Sequence, residues 1–483
     1  MGFAISNTSA AAVITSLSTP SSITGELTIT SGSLPLIQGD LIGGSNTTIT
    51  DTGGSPFGSI EMFLQQGDAQ IETYVNNTLY SSDRYGSGFI SLQTPIIQSG
   101  DSLTMAISDP DFDCYTLSAW QSGASNPEMM IEQPDGKIVY VGYFTSYGST
   151  AANRIIRLNA DFSVDDTFVY GTGFNGDANA LAIQSDGKLI VGGNFTQYNG
   201  TARNRMVRLN TDGSLDTSFG IGTGFNATVW SVLVQSDGKI VAAGDFATYS
   251  GSSRPGVIRL NSNGSIDSTF AASSVVNSTV YQVAQQSDGK ILAGGLFTSY
   301  SGVSVGGLVR LTTAGIIDST FPTSGVTAGG FNGIYSLDVL SDGKIMLAGN
   351  FTTYSGVSSR DIARINSDGT YDATFNVGSG FTGSDRFVLD VTETNGKYFV
   401  TGVFDNYNGS SVYGMVRLNS DGSVDTTFNT GTGIGYNPSS FGEPSLVLST
   451  GNYNISGTFS SYNGTTVPNM IVIDPFGKLL NCE

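Results

Sequence analysis

Residues 184–195 read QSDGKLIVGGNF, and near-copies follow as QSDGKIVAAGDF from Gln235, QSDGKILAGGLF from Gln286 and LSDGKIMLAGNF from Leu340. Aligned on the Asp-Gly-Lys turn, copies fall at Asp135, Asp186, Asp237, Asp288 and Asp342. Drifted ones follow at Asn395 (TNGK) and Thr450 (STGN), and the spacing is 51 to 55 residues. A second signature, Gly with Phe two residues on and Tyr three after that, marks all seven, from Gly142-Phe144-Tyr147 through Gly193-Phe195-Tyr198 to Gly457-Phe459-Tyr462.

Within one copy four strands can be read. NALAI (179–183) is strand a, SDGK its turn, LIVGGNF strand b; a longer loop, TQYNGTARN, leads to strand c, RMVRLN, and after the turn TDG comes strand d, SLDTSF. Asp-Gly between apolar β-formers signals a hairpin, because Gly accepts the positive φ that primed turns demand. No window has helical periodicity. A period near 50 built of four short strands is the pattern of a propeller blade. The chain is therefore expected to be all-β, with a seven-bladed β-propeller of four-stranded blades over residues 108–483. The strand-b glycines Gly192-Gly193 and Gly294-Gly295 are expected to let neighbouring sheets approach closely, with the repeated Phe filling the layer between blades.

Residues 1–107 share none of this. SIEMFL, AQIETYV, GFISLQT and SLTMAIS alternate apolar and polar positions between Gly, Ser and Asn turns, which predicts a small β-sandwich preceded by an extended Ser/Thr/Gly-rich arm. This part holds one cation, Arg84, against eight acids.

Composition excludes several functions. Hydrophobic residues make up 39% and charged residues 12%, with 64 Gly, a turn-rich folded texture rather than solvated disorder. Histidine is absent, removing the commonest general base and transition-metal ligand. A net charge of −20 opposes binding to nucleic acid or anionic membrane. No stretch approaches the length of a membrane span, and MGFAISNTSAAAVITSLSTP lacks the basic start of a secretory signal, so, unless a signal has been removed, the chain is expected to stay in the cytosol where it is made or to leave by cell lysis.

The pattern of DGK, GxF, RLN-x-DG and D-x-TF resembles the delta-60 repeat family of β-propeller units over about residues 111–483. The resemblance implies the propeller fold and no assigned chemistry, its members occurring in bacterial surface or secreted proteins and in phage particles.

Strand c carries an arginine in six copies and strand d an aspartate in the same six: Arg157 with Asp165, Arg208 with Asp216, Arg259 with Asp267, Arg310 with Asp318, Arg364 with Asp372 and Arg417 with Asp425. In the seventh copy both are lost, to Val472 and Leu480. Joint loss is what a buried pair predicts, since stranding one charge costs about 3–5 kcal/mol. An ion pair within each blade is expected. The turn lysines (Lys137, Lys188, Lys239, Lys290, Lys344, Lys397) read as solvated decoration. The seventh copy also lacks the strand-d Phe, and DFDCYT fits as a strand d: Phe112, Asp113 and Cys114 are expected to close the ring as the outer strand of the last blade beside Cys482, where a disulfide could form.

Five other arginines lie in b–c loops: Arg154, Arg203, Arg205, Arg254 and Arg360. The long-loop face is accordingly the expected partner or glycan surface, with Tyr198, Asn199, Arg203, Arg254 and Arg360 as candidates. GTGFNG (171–176) matches a dinucleotide fingerprint, but no helix follows it. Asp109, Asp111 and Asp113 alternate and would share one face of an extended segment, a weak calcium candidate without the EF-hand glycine. No catalytic residue and no cofactor is indicated. The reading is a non-enzymatic virion component, assembled in the host cytoplasm in many copies, docked to other virion proteins through residues 1–107 and offering its propeller to a neighbour, a host glycan or a receptor. A bacterial cell-surface or secreted binding propeller is the alternative, and a hydrolase would need two acids off the repeat pattern facing one cleft.

Overall fold

The computed structural model describes residues 127–480 apart from 272–274, 328–332, 384–385, 430, 436–444, 458 and 468, and before them Leu117, Trp120–Gln121 and strands within residues 2–108. The chain divides into two compact units, residues 1–116 with 448–453 and 472–483, and residues 117–447 with 454–471. In the first, the strands within residues 2–108 form one four-stranded and one five-stranded sheet. No helix occurs among the described residues, so none there is long and apolar enough to cross a membrane.

In the copy around Asp186, strand a is Ala178–Ile183, strand b Leu189–Gly193 and strand c Met206–Leu209, joined as an antiparallel sheet with b in the middle. Six sheets repeat this a–b–c order, from Pro127–Glu132 to Met415–Leu418, and a further three-stranded sheet made of Ser445–Val447, Tyr453–Ser456 and Met470–Ile473 follows.

The blades are not four-stranded. Strand d is reduced to a single bridge, Leu209 to Leu215 in this copy. The cause is Asp216: its amide donates to Arg208 O at 3.0 Å, but its Oδ1 then accepts both the amide and the hydroxyl of Ser218, at 2.9 and 2.6 Å, and the chain turns instead of extending. Conversely, the b–c stretch read as loop is itself a small hairpin, Gln197–Tyr198 with Thr201–Ala202.

The turn chemistry is distributed differently from the sequence reading. In SDGK only the glycine has positive φ (Gly187, 80°), Gly187 N donates to Gln184 O at 2.9 Å and Gln184 N to Lys188 O at 2.8 Å, the pattern of a type I turn followed by a glycine bulge. Primed turns occur at Asn199-Gly200 (45° and 73°) in the b–c hairpin, and in the drifted copy at Asn395-Gly396 (49° and 70°), where Thr394 pairs directly with Lys397.

Cores lie between successive sheets. Ile190 and Met206 of one sheet are buried with Phe225, Val229, Phe246 and Ile258 of the next. Strand a of each sheet packs on strand a of its successor, and Ser445–Val447 packs on Pro127–Glu132. Strands a are therefore edge strands with free backbone donors, and side chains from the preceding strand a satisfy some of them. Ser231 Oγ accepts Val283 N at 3.2 Å, Gln282 Oε1 accepts Leu337 N at 3.0 Å and Asp390 Oδ2 accepts Ser445 N at 3.2 Å.

Candidate functional site

The repeated charges build a fixed cluster. Asp216 Oδ2 accepts Arg208 Nε at 2.8 Å and Lys188 Nζ at 2.9 Å, the Arg208 guanidinium stacks 4.7 Å over the Phe219 ring, and its Nη1 reaches Ser262 O in the next copy. The other pairs stand alike: Arg157–Asp165 at 2.6 Å, Arg259–Asp267 at 2.7 Å, Arg310–Asp318 at 2.9 Å, Arg364–Asp372 at 2.7 Å and Arg417–Asp425 at 2.7 Å, all buried. The turn lysines are not solvated decoration. Each of the six donates to the same buried carboxylate, as Lys137 does to Asp165 at 2.9 Å and Lys397 to Asp425 at 2.7 Å. The sequence held the signal, since the seventh copy replaces the lysine too, by Asn452. Burial opposes ionisation of Asp216, but hydrogen bonds from Ser218, Lys188 and Arg208 overcome it and hold the carboxyl well below its usual range; against the same burial, Lys397 and Arg417 bring Asp425 down to about 2. Every oxygen is occupied, so this cluster is scaffold.

Chemistry varies elsewhere. Strand a carries a β-bulge at the same place in six copies, and the extra residue is Glu128, Asn179, Trp230, Tyr281, Tyr335 and Leu389 in turn. A bulge re-aims a side chain out of the ladder. It also brings strand a onto strand b: a Cβ on Gly193 would stand 2.2 Å from Asp177 O, and on Gly244 2.1 Å from Thr228 O. The second glycine of GGNF thus serves the bulge, whereas the first serves sheet approach, its Cβ meeting Val229 Cγ1 of the next sheet at 2.7 Å. The residue after the constant glycine varies as well: Tyr143, Asn194, Asp245, Leu296, Asn350 and Val403.

These positions meet. Trp230 and Tyr281 have ring centroids 5.7 Å apart, Tyr281 and Tyr335 5.5 Å, and Tyr335 and Phe387 6.3 Å, each pair near perpendicular, so four half-buried rings form an arc over four successive strands a. Trp230 Nε1 donates to Asp245 Oδ2 at 2.8 Å, and Asn179 Nδ2 donates to Tyr143 Oη at 3.1 Å. Burial, and behind it the Asp177 carboxylate, push Glu128 up to about 8; Glu128 in turn helps burial raise Tyr143. Glu128 and Asp177 are thus two acids off the repeat pattern brought near each other, Asp177 holding Arg154 Nε at 3.3 Å. Arg154 (φ 66°) and Asp361 (φ 68°) occupy a left-handed position that is glycine at Gly256, Gly307 and Gly414; the strain places a charge on the next sheet, Asp361 meeting Arg386 Nε at 2.7 Å.

Because Glu128 keeps its proton to a higher pH folded than unfolded, the native state binds the extra proton between about pH 4.5 and 8 and stability falls as pH rises through that window. Glu128→Gln is expected to remove this fall, gaining on the wild type at pH 8.5 more than at pH 5 in urea unfolding; equal differences at both would contradict the assignment.

The loop candidates separate. Tyr198 is buried, its hydroxyl donating to Gly213 O at 2.5 Å, because the b–c hairpin folds onto the c–d turn; it is no surface residue. Asn199 is exposed, with Oδ1 accepting Thr172 N at 3.1 Å. Arg203 and Arg254 are half-buried against Ala202 O and Ser253 O, and Arg360 is exposed. Among the described residues no hydrogen bond or ion pair joins these side chains to one another. Phe112, Asp113, Cys114, Cys482, Asp109 and Asp111 lie outside the described residues. Among the described residues no three acids, cysteines or histidines are grouped to hold a metal.

Six segments, residues 133–168, 184–219, 235–270, 286–321, 340–375 and 393–428, match the model of a family described as a domain of unknown function, DUF5122 beta-propeller. These six segments are similar to β-propeller repeats of that family. Each propeller segment runs from the a–b turn, or just before it, to the Phe that stacks on arginine, and so holds the charge cluster and leaves the bulge residues of strand a outside. No curated protein matches the chain. Solved structures it resembles include the computationally designed Ika8 protein, at 11% identity over 76% of this chain and 89% of that one, TM-score 0.42. Others are YCF48 bound to D1 peptide, at 12% identity over 74% and 97%, TM-score 0.39, and PorZ of Porphyromonas gingivalis, at 12% over 87% and 57%, TM-score 0.36.

Proposed function

We propose that this chain is a non-enzymatic interaction protein: a seven-bladed propeller that presents the N-terminal ends of its inner strands to a ligand, with residues 1–107 attaching it to a larger assembly. The observation that carries the reading is the variation of the bulge residues, from Glu128 through Trp230 to Tyr335, inside copies whose charge cluster is constant. Closure by a seventh blade is supported by the Asp390 bond to Ser445 and by a hydrogen bond from the Asn454 side chain to the Tyr140 hydroxyl of the first sheet.

The setting we propose is a phage particle, with other virion proteins as multi-copy neighbours and a host-surface glycan or receptor as ligand. Support for it is the acidic, low-cation N-terminal part joined to a rigid repeat head, an architectural analogy. Quantitative mass spectrometry of purified particles, host envelope and supernatant tests it. Stoichiometric peptides in particles are expected; enrichment in envelope with none in particles would move the protein to a bacterial surface. Turnover of oligosaccharides that disappears in Glu128→Gln would overturn the non-enzymatic reading.

A further inference from the structure

The arc on the inner strands has a definite electrostatic character. Its rings stand at 69°, 70° and 85° to their neighbours, so their faces turn in several directions instead of offering one flat platform for a stacked sugar. Two carboxylates stand beside them, Asp245 at Trp230 and Asp361. Asp361 is paired with Arg386, whereas Asp245 has no cation within ion-pair distance among the described residues. The only hydrogen bond to the Asp245 carboxylate there comes from the Trp230 indole. Rings with crossed faces beside an unpaired carboxylate, in a chain of net charge −20, are the elements of an aromatic cage for a cation.

We propose that the arc formed by Trp230, Tyr281, Tyr335 and Phe387 binds an alkylammonium group, with Asp245 supplying the counter-charge. The proposal rests on the reading of the propeller as a binding platform and names the ligand class of that site. Quaternary and primary ammonium groups share the chemistry, and the test separates them.

The chain has two tryptophans, so Trp120→Phe leaves Trp230 as sole reporter in the full-length protein. Its fluorescence is titrated with tetramethylammonium, with n-butylammonium, and with uncharged 3,3-dimethylbutan-1-ol at matched ionic strength, and calorimetry on the unaltered chain checks the same ligands. The expected result is saturable binding of one or both cations, about tenfold tighter than the alcohol and weakened about tenfold in Tyr281→Ala, the size one partly desolvated cation–π contact supplies. Asp245→Asn, which keeps an oxygen to accept the Trp230 indole, weakens the cation and leaves the alcohol unchanged. Equal binding of the alcohol, or cation binding indifferent to Tyr281→Ala, overturns the proposal. If neither cation binds but neutral oligosaccharides do, the ligand class is wrong and the binding platform stands; if nothing binds at the arc, both fall.

Discussion

Replacing Arg208 by alanine is expected to lower the unfolding free energy by about 3–5 kcal/mol, because the buried Asp216 carboxylate loses its closest cation and Phe219 the guanidinium stacked on it. The change also removes the Nη1 bond to Ser262 O, which ties the cluster to the next copy. Arg203→Ala, at a half-buried arginine bound only to a neighbouring carbonyl, is the comparison and is expected to cost under about 1 kcal/mol. Urea unfolding of both variants checks the contrast, and equal losses would show that the strand-c arginine is not part of the scaffold. The same clusters set the acid limit. Asp165, Asp216, Asp267, Asp318, Asp372 and Asp425 all have carboxyls held below their ordinary value. The unfolded chain therefore takes up these protons first, and the stabilisation, fully present above about pH 4, is lost as pH falls toward the folded values.

Gly193→Ala is expected to cost at least about 2 kcal/mol, since the added methyl meets a backbone oxygen that the bulge fixes in place. Gly192→Ala next to it should cost clearly less. Its methyl meets the Val229 and Val232 side chains and no backbone atom nearer than these, and the same position is already Ala243 and Ala348 in other copies, whereas the Gly193 position is glycine in all seven. Thermal unfolding of the two single variants decides; a larger loss for Gly192→Ala would contradict the bulge as the reason for the invariant glycine.

The repeat made the sheet order legible because hairpins of fixed length leave a fixed spacing, and the joint disappearance of Arg and Asp in the last copy pointed to their pairing. Three features were hidden by what lies across strands. Lys188 reads as a turn residue until the hairpin folds its amine over Asp216, 28 residues on. Tyr198 reads as a loop residue until the primed Asn199-Gly200 turn folds the loop back and buries its ring. The bulge leaves no local mark at all: Glu128, Asn179, Trp230, Tyr281 and Tyr335 share only a position, 14 residues before the constant glycine, and a motif-centred reading passes over a position defined by its variability.

The claim that constant residues hold the propeller while the bulge residues bind is tested most directly by one calorimetric titration. Tetramethylammonium is titrated into the full chain, into Trp230→Ala/Tyr281→Ala and into Arg203→Ala/Arg254→Ala, with the melting curve of each recorded alongside. The account predicts that all three unfold cooperatively well above the titration temperature, the ring variant earlier because two half-buried rings are gone, and that the ring variant alone loses binding. Binding that survives removal of both rings, or that fails in the loop-arginine variant instead, would contradict it.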